Sequence, residues 1–157
     1  MDQRALELGR GFLAELLHLA GEPLQVEGGW EEEGLYLNLV GKPRLLPPQD
    51  PQLRADLARL VRLHLQKQLN ESPPVVVDLN GRWAARRRSL VELARELAQR
   101  AVEEKRRLKL DPMPPDERRV IHLALADFPG VRTYSVGRGA GRRVVIEPLG
   151  QGGQLRG

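Results

Sequence analysis

In RALELGRGFLAELLHLAG, Leu6, Leu13, Leu16 and Leu17 fall near helical spacing and Gly21 is a natural stop, so the chain opens on a helix. The period then changes. LQVEGGWEE alternates weakly and GLYLNLVG alternates clearly at Leu35, Leu37 and Leu39, with Gly28, Gly29 and Gly34 as punctuation, which predicts a pair of strands. KPRLLPPQDPQ carries four prolines and cannot sustain more than one helical turn. Asp50 with Pro51 is an N-cap and first-turn pair, opening a second helix with Leu53, Leu57, Leu60 and Val61 on one face. In PPVVVDL, three successive valines predict a buried strand ending near Leu79.

The second half begins with the longest helix, from Arg82 to about Arg107. Leu90, Ala94, Leu97 and Ala101 form its apolar stripe, and Arg86, Arg87, Arg88, Arg95 and Arg100 lie elsewhere around it. LKLDPMPP is a short extended segment. PDERRVIHLAL predicts a short helix with Pro115 at its first position and Ile121, Ala124, Leu125 and Phe128 along the inward stripe. VRTYSVGRGAGRRVVIEPL reads as a β-hairpin around a Gly-rich turn, closed by Pro148, and GQGGQLRG reads as a disordered polar tail.

Composition narrows the class. At 157 residues, 41% hydrophobic and 29% charged, the chain suits one compact soluble domain or two small modules, and 4% aromatic content means cores of Leu, Val and Ala. The absence of cysteine excludes disulfides, zinc knuckles and thiol catalysis. No stretch has the length of a membrane span, and MDQRALELGR is too polar for a signal peptide, so the expected location is the cytoplasm. Charge is segregated. Residues 1–33 hold two arginines against eight acids, a net of −6; residues 81–109 hold ten Lys or Arg against four acids, a net of +6; residues 118–157 hold seven against two, a net of +5. A basic half of this kind is the footprint of a polyanion-binding surface. An arginine-rich background explains the four lysines among 25 basic residues but not their segregation.

The short helix carries the candidate chemistry. Arg118 and His122 stand one turn apart on its flank, so both side chains project together. Arginine offers a planar fork for phosphate, and an imidazole can bond phosphate or stack on a base. Spacing alone leaves open a solvated flank with His122 packed on the hairpin. GRGAGRR places Gly137, Gly139 and Gly141 after a strand, but a nucleotide-cradling loop needs a helix next, and a hairpin turn is the better reading. Arg138, Arg142 and Arg143 can still touch a backbone. His64 and His18 read as packed helix residues, three scattered histidines make no metal site, Trp83 reads as core, and Trp30 and Tyr134 are left open.

LDPMPPDERRVIHLAL followed by VRTYSVGRGAGRRVVIEP resembles the R-three-H domain, and in particular its version at the C-terminus of the Jag (SpoIIIJ-associated) family of bacterial RNA-binding proteins. The likeness extends upstream through VVVDLNGRWAARRRSLVELARELAQRAV, and the helix-strand-strand-helix-strand order before it is similar to a type II KH domain. The resemblance is strong from Val75 to Pro148, and Arg118 and His122 match its signature. One departure concerns the KH loop. A KH fold grips nucleotides with a G-x-x-G loop, and this chain has LLPPQDPQ there, with no glycine or basic residue from Pro47 to Pro51. Proline removes an amide donor and Asp50 repels phosphate, so this half is expected to bind RNA weakly or not at all and to serve as a dimerisation or partner surface. A second departure is expected upstream: many family members carry an extra N-terminal domain and a linker, and the sequence here starts almost at the KH-like helix.

The resemblance therefore implies an α+β protein: a degenerate type II KH-like domain over residues 1–79, an R-three-H domain with its long leading helix over 80–150, and a tail over 151–157. The expected activity is single-stranded RNA binding, with DNA as the lesser candidate. Arg118 and His122 stand at the centre, and Arg119, Arg86, Arg87, Arg88, Arg142 and Arg143 form an electrostatic rim. No reaction, metal or cofactor is implied. The family suggests a homodimer or a small KH protein as partner, and a post-transcriptional role linked to cell elongation and division. The rival is an interaction module whose basic face docks an acidic partner. A nuclease using His122 as general base ranks below both, since it needs a carboxylate or metal beside that ring.

Overall fold

The structure, a computed structural model, describes residues 2–150, so the tail over 151–157 lies outside the described residues. Its order is α1 (Gln3–Leu19), β1 (Gln25–Glu31), β2 (Gly34–Val40), α2 (Pro51–Leu69), β3 (Val75–Leu79), α3 (Arg82–Glu104), β4 (Leu108–Lys109), α4 (Pro115–Leu125), β5 (Val131–Val136) and β6 (Arg143–Pro148). The fold is α+β, and the chain divides into two compact units, one through Ala84 and one from Ala85. The division falls in the first turn of α3.

In the first unit the expected αββαβ order forms a three-stranded sheet, β1-β2-β3, with β1 antiparallel and β3 parallel to β2. Leu35, Leu37 and Leu39 alternate inward and are all buried, as period-two patterning requires. Gly34 sits at φ +126°, where a Cβ would lie 2.3 Å from the Pro74 carbonyl oxygen, so only glycine opens this strand. From α1, Ala5, Gly9, Leu13 and Leu17 are buried in a single row, and a Cβ on Gly9 would meet Leu35 Cδ2 at 3.1 Å and Val61 Cγ1 at 3.3 Å. A methyl group there fits only if those side chains shift slightly, and a larger group would push α1 away. Asp50 caps α2 as expected, its carboxylate accepting from the Gln52 amide at 2.9 Å. The buried face of α2 is Leu57, Ala58, Val61 and Leu65, and Leu60, placed on that face by its spacing, is instead exposed. His64 stacks on Phe12 with centroids 4.3 Å apart, whereas His18 is exposed in the last turn of α1 rather than packed.

Two buried carboxylates organise this unit, and neither belongs to the patterns that predict its elements. Glu22, 5% exposed, accepts from the backbone amides of Arg44, Leu45 and Leu46 at 2.7, 2.6 and 3.0 Å and so holds the proline-rich loop in place. The amide bonds, led by that of Arg44, outweigh desolvation and keep its pKa below the usual carboxylate value. Asp78, fully buried at the end of β3, accepts from the Tyr36 hydroxyl and from the amides of Leu79, Trp83 and Ala84, and thereby caps the start of α3. Trp83 is half-buried beneath the Arg54 guanidinium, which lies 4.6 Å from its ring centroid. Trp30 is partly buried against the core and donates to the Asp2 carbonyl at 3.1 Å.

In the second unit, β5 and β6 form the expected hairpin around a turn of 3-10 helix at Gly139–Gly141. The extended segment adds a third strand, giving the order β4-β6-β5. The core comprises Leu90, Ala94, Ala98 and Ala101 from α3, Val120, Ile121 and Leu125 from α4, and Val144, Val145 and Ile146 from β6. Ala98 joins the stripe in full, and Leu97, Ala124 and Phe128 are only half-buried. Among the described residues no helix is long and apolar enough to cross a membrane.

Candidate nucleic-acid interface

The α4 helix follows Pro114 and begins at Pro115; Asp116 and Glu117 occupy the first turn, where the helix dipole favours acids. One turn on, Arg118 is half-buried and donates its Nε to the Met113 carbonyl oxygen at 3.1 Å, leaving the terminal nitrogens of its fork uncommitted. His122, also half-buried, lies against β5. Its Nδ1 is 2.7 Å from the Thr133 hydroxyl and its Nε2 is 3.0 Å from the Ser135 hydroxyl. A neutral imidazole has one donor and one acceptor nitrogen, and a hydroxyl can meet either, so both ring nitrogens are satisfied.

Burial lowers the His122 pKa below its ordinary value, and the charges of Arg118 and then Arg142 lower it further. Arg142 is itself tied to the turn, its terminal nitrogen donating to the Gly137 carbonyl at 2.8 Å. Two guanidinium groups therefore flank one neutral ring. Both are anchored by backbone carbonyls, and neither has a carboxylate partner among the described residues. This arrangement leaves positive charge in place and oriented, which is what binding a phosphate needs.

A family model for the R-three-H domain matches residues 88–148. These residues form an R-three-H domain. RNA-binding protein KhpB of Bacillus subtilis is 33% identical over 107 residues, 67% of this chain and 51% of that protein. The protein of the same name from Clostridium symbiosum is 32% identical over 124 residues, 78% of this chain and 56% of its own length. That of Streptococcus pneumoniae is 33% identical over 91 residues, 58% of this chain and 28% of its own length. The chain thus spans about half the length of the first two relatives. The resemblance to the Jag family drawn from Val75 to Pro148 is borne out.

Within the R-three-H domain the sequence-predicted residues do not form one cluster. Arg118, His122 and Arg142 come together. Arg86 instead makes a two-pronged ion pair with Glu117, through Nε to Oε1 at 2.8 Å and a terminal nitrogen to Oε2 at 3.1 Å. This bond, reinforced by the Glu117 charge, raises the Arg86 pKa further. Arg87 is half-buried and engaged, while Arg88 and Arg119 are exposed without an ion pair among the described residues. Three consecutive helical positions span about 200°, so Arg86, Arg87 and Arg88 cannot share a face. Arg143 opens β6 opposite Val136, and by strand alternation it points away from the face on which Ser135 meets His122. Sequence reading missed Arg107 and Arg132, which converge on the buried Glu147; a single acid in the otherwise apolar run VVIEP was the available signal.

Proposed function

We propose that this chain binds single-stranded RNA at the surface built from α4 and the β5–β6 turn. Arg118 and Arg142 contact phosphate, Arg119 and Arg88 add to the surrounding field, and His122 positions the site by clasping Thr133 and Ser135. The observation that carries this reading is the pair of carbonyl-anchored, carboxylate-free guanidiniums beside a neutral imidazole. RNA rather than DNA is supported by the names of the relatives. Arg86, neutralised by Glu117, contributes little to the contact, and Arg143 and Arg87 stand outside it.

Fluorescence anisotropy with a labelled, unstructured RNA of about twelve nucleotides tests the reading. Removing one arginine–phosphate interaction should flatten the log–log salt dependence by roughly 0.7. Arg118→Ala and Arg142→Ala should each weaken binding and flatten the slope, and the double variant should do both more strongly. Salt-insensitive binding, or a double variant indistinguishable from the parent, overturns the reading; tighter binding of matched single-stranded DNA redirects it to that ligand.

The first unit, residues 1–79 with the linker to α3 assigned to the R-three-H half at 80–150, is proposed as a KH-like domain that contributes a protein contact rather than an RNA grip. The amides of Arg44, Leu45 and Leu46, just before the proline run, already hold the Glu22 carboxylate. Leu60 and Leu63, 43% and 56% exposed on α2, support a second copy or a small KH protein as the partner. Light scattering of the parent and of Leu60→Ser with Leu63→Ser reads this out. In the cell the proposal places the protein in the cytoplasm, without catalytic activity, in post-transcriptional control of elongation and division.

A further inference from the structure

The three-stranded sheet of the R-three-H domain has a second face. Thr133 and Ser135 reach His122, so that side of β5 is covered by α4. Alternation sends Arg132 and Tyr134 to the other side, and the antiparallel register fixes their neighbours. Arg132 is paired with Glu147, Tyr134 with Val145, and Val136 with Arg143. Across β6, Lys109 is paired with the same Val145. Arg107, just before β4, reaches Glu147, with its Nε 3.5 Å from Oε1. This face therefore gathers Arg107, Lys109, Arg132 and Arg143 around a buried Val145 and the single carboxylate of Glu147, and its exposed groups are the cationic ends of the side chains. Arg107, Lys109 and Arg132 are exposed, so none of the described residues covers them.

The geometry is built, not a scatter of surface cations. Glu147 is buried, its side chain 4% exposed, and its two oxygens serve two arginines. Oε2 accepts from Arg132 Nε at 2.7 Å, and Oε1 lies beside Arg107 Nε. Arg132 is held by its inner nitrogen, so its terminal nitrogens remain to meet a ligand, while Arg107 is shared between Glu147 and the Tyr134 hydroxyl. Arg132 also lies over the Tyr134 ring at 4.9 Å from its centroid, and the Tyr134 hydroxyl acts on Arg107 closely enough to raise that arginine's pKa. An aromatic ring thus lies beneath one oriented fork with a second arginine near its hydroxyl, and part of the cost of ordering those side chains on binding is already met within the fold. Oriented arginines with a tyrosine among them form a surface for phosphates and stacked bases.

We propose that this open sheet face is a second contact for the same single-stranded polynucleotide, which passes around the free edge of β5 from the Arg118–Arg142 side and lays a base on the Tyr134–Arg132 platform. The proposal rests on the reading above. Since β5 is the outer strand in the order β4-β6-β5, no further strand among the described residues blocks the passage. One strand thus serves both faces.

The test uses the full chain and two RNA lengths, about four and about twelve nucleotides. Lys109→Ala with Tyr134→Ala leaves the Glu147 pairs untouched. It should leave the short RNA unaffected and weaken the long one by about tenfold, with a flatter salt slope. Arg118→Ala should weaken both lengths. If the long RNA binds the Lys109/Tyr134 variant as tightly as the parent, while Arg118→Ala still weakens it, the second face is refuted and the first site stands. If neither RNA binds the parent, both fall. Tyr134→Phe, which keeps the ring and drops the hydroxyl, should retain most of the long-RNA affinity; if it matches the Lys109/Tyr134 variant in its weakening, stacking is not the interaction and the platform is wrong.

Discussion

Asp78→Ala removes the carboxylate on which the end of β3 and the start of α3 both depend. Asp78 is 0% exposed and accepts four hydrogen bonds: the Tyr36 hydroxyl at 2.6 Å and the amides of Leu79, Trp83 and Ala84 at 2.7, 2.8 and 3.0 Å. An amide left unsatisfied in the interior costs about 1–3 kcal/mol, and loss of a helix cap costs about 1 kcal/mol. Trp83 and Ala84 are only half-buried, so water can recover part of the loss at their amides, and the expected destabilisation of the first unit is about 3 kcal/mol. Both tryptophans, Trp30 and Trp83, lie in that unit, Trp83 in the first turn of α3, so their fluorescence during urea unfolding reports on it and on the start of that helix. The midpoint should fall at unchanged slope, and Tyr36→Phe should show about 1 kcal/mol. Burial raises the Asp78 pKa, but the Tyr36 hydroxyl and the three amides outweigh it and the net direction is downward. Its contribution is therefore complete above the unfolded value of about 3.9 and disappears as pH falls through the lower folded value. Asp78→Asn should flatten stability in that acid window. A loss below about 1 kcal/mol for Asp78→Ala would refute the assignment of this carboxylate as the cap.

Three other outcomes follow from the same geometry. His122 has a folded pKa below that of the unfolded chain, so the unfolded state takes up more protons and the second unit should weaken as pH drops from about 6.5 toward the folded value, levelling below it; His122→Gln should remove this dip in amide-exchange protection of β5. Gly9→Val should cost about 1–3 kcal/mol in urea unfolding, because Leu35 and Val61 crowd the new side chain, while Gly9→Ala should be near neutral, its gain in helix propensity offsetting the squeeze. Glu117→Gln frees Arg86, whose side chain is 51% exposed; stability should change by less than about 1 kcal/mol, and RNA affinity at low salt should rise a few-fold and lose that gain at high salt.

Local patterns carried much of the fold. The Leu35, Leu37, Leu39 alternation, the Asp50-Pro51 start and the valine run each correspond to an element, because each is decided by residues that are neighbours in the chain. What depended on distant neighbours was not legible. Leu60 fits the apolar spacing of α2, yet the buried row runs through Leu57, Val61 and Leu65 at intervals of four, and the helix presents Leu60 to solvent. The pairing of Glu117 with Arg86, 31 positions away, withdraws one arginine from the expected rim. Arg142 and Arg143 do not share a face, because they are adjacent extended positions at the start of β6 and such positions point opposite ways. That separation was available in the sequence. Buried acids were the larger omission: the acid in VVVDL and the acid in VVIEP each interrupt an apolar strand, which is a signal for a carboxylate with partners.

Those acids also explain where the positive potential ends up. No buried side-chain polar atom among the described residues lacks a partner. Glu22 and Asp78 serve backbone amides, so they neutralise no arginine directly. In the R-three-H domain the carboxylates offset arginine charge in part: Glu117 pairs with Arg86 alone, whereas Glu147 is shared by Arg132 and Arg107 and Glu104 by Arg100 and Arg106, so each of these trios keeps one net positive charge. Arg118 and Arg142 are anchored instead by carbonyl oxygens, which orient a guanidinium without cancelling its charge. A net count of basic residues could not distinguish these two populations, since every arginine adds the same charge to the total. The distinction lies in the chemistry of the anchor: the arginines tied to neutral oxygens keep the full attraction for phosphate, and they are the ones that flank His122.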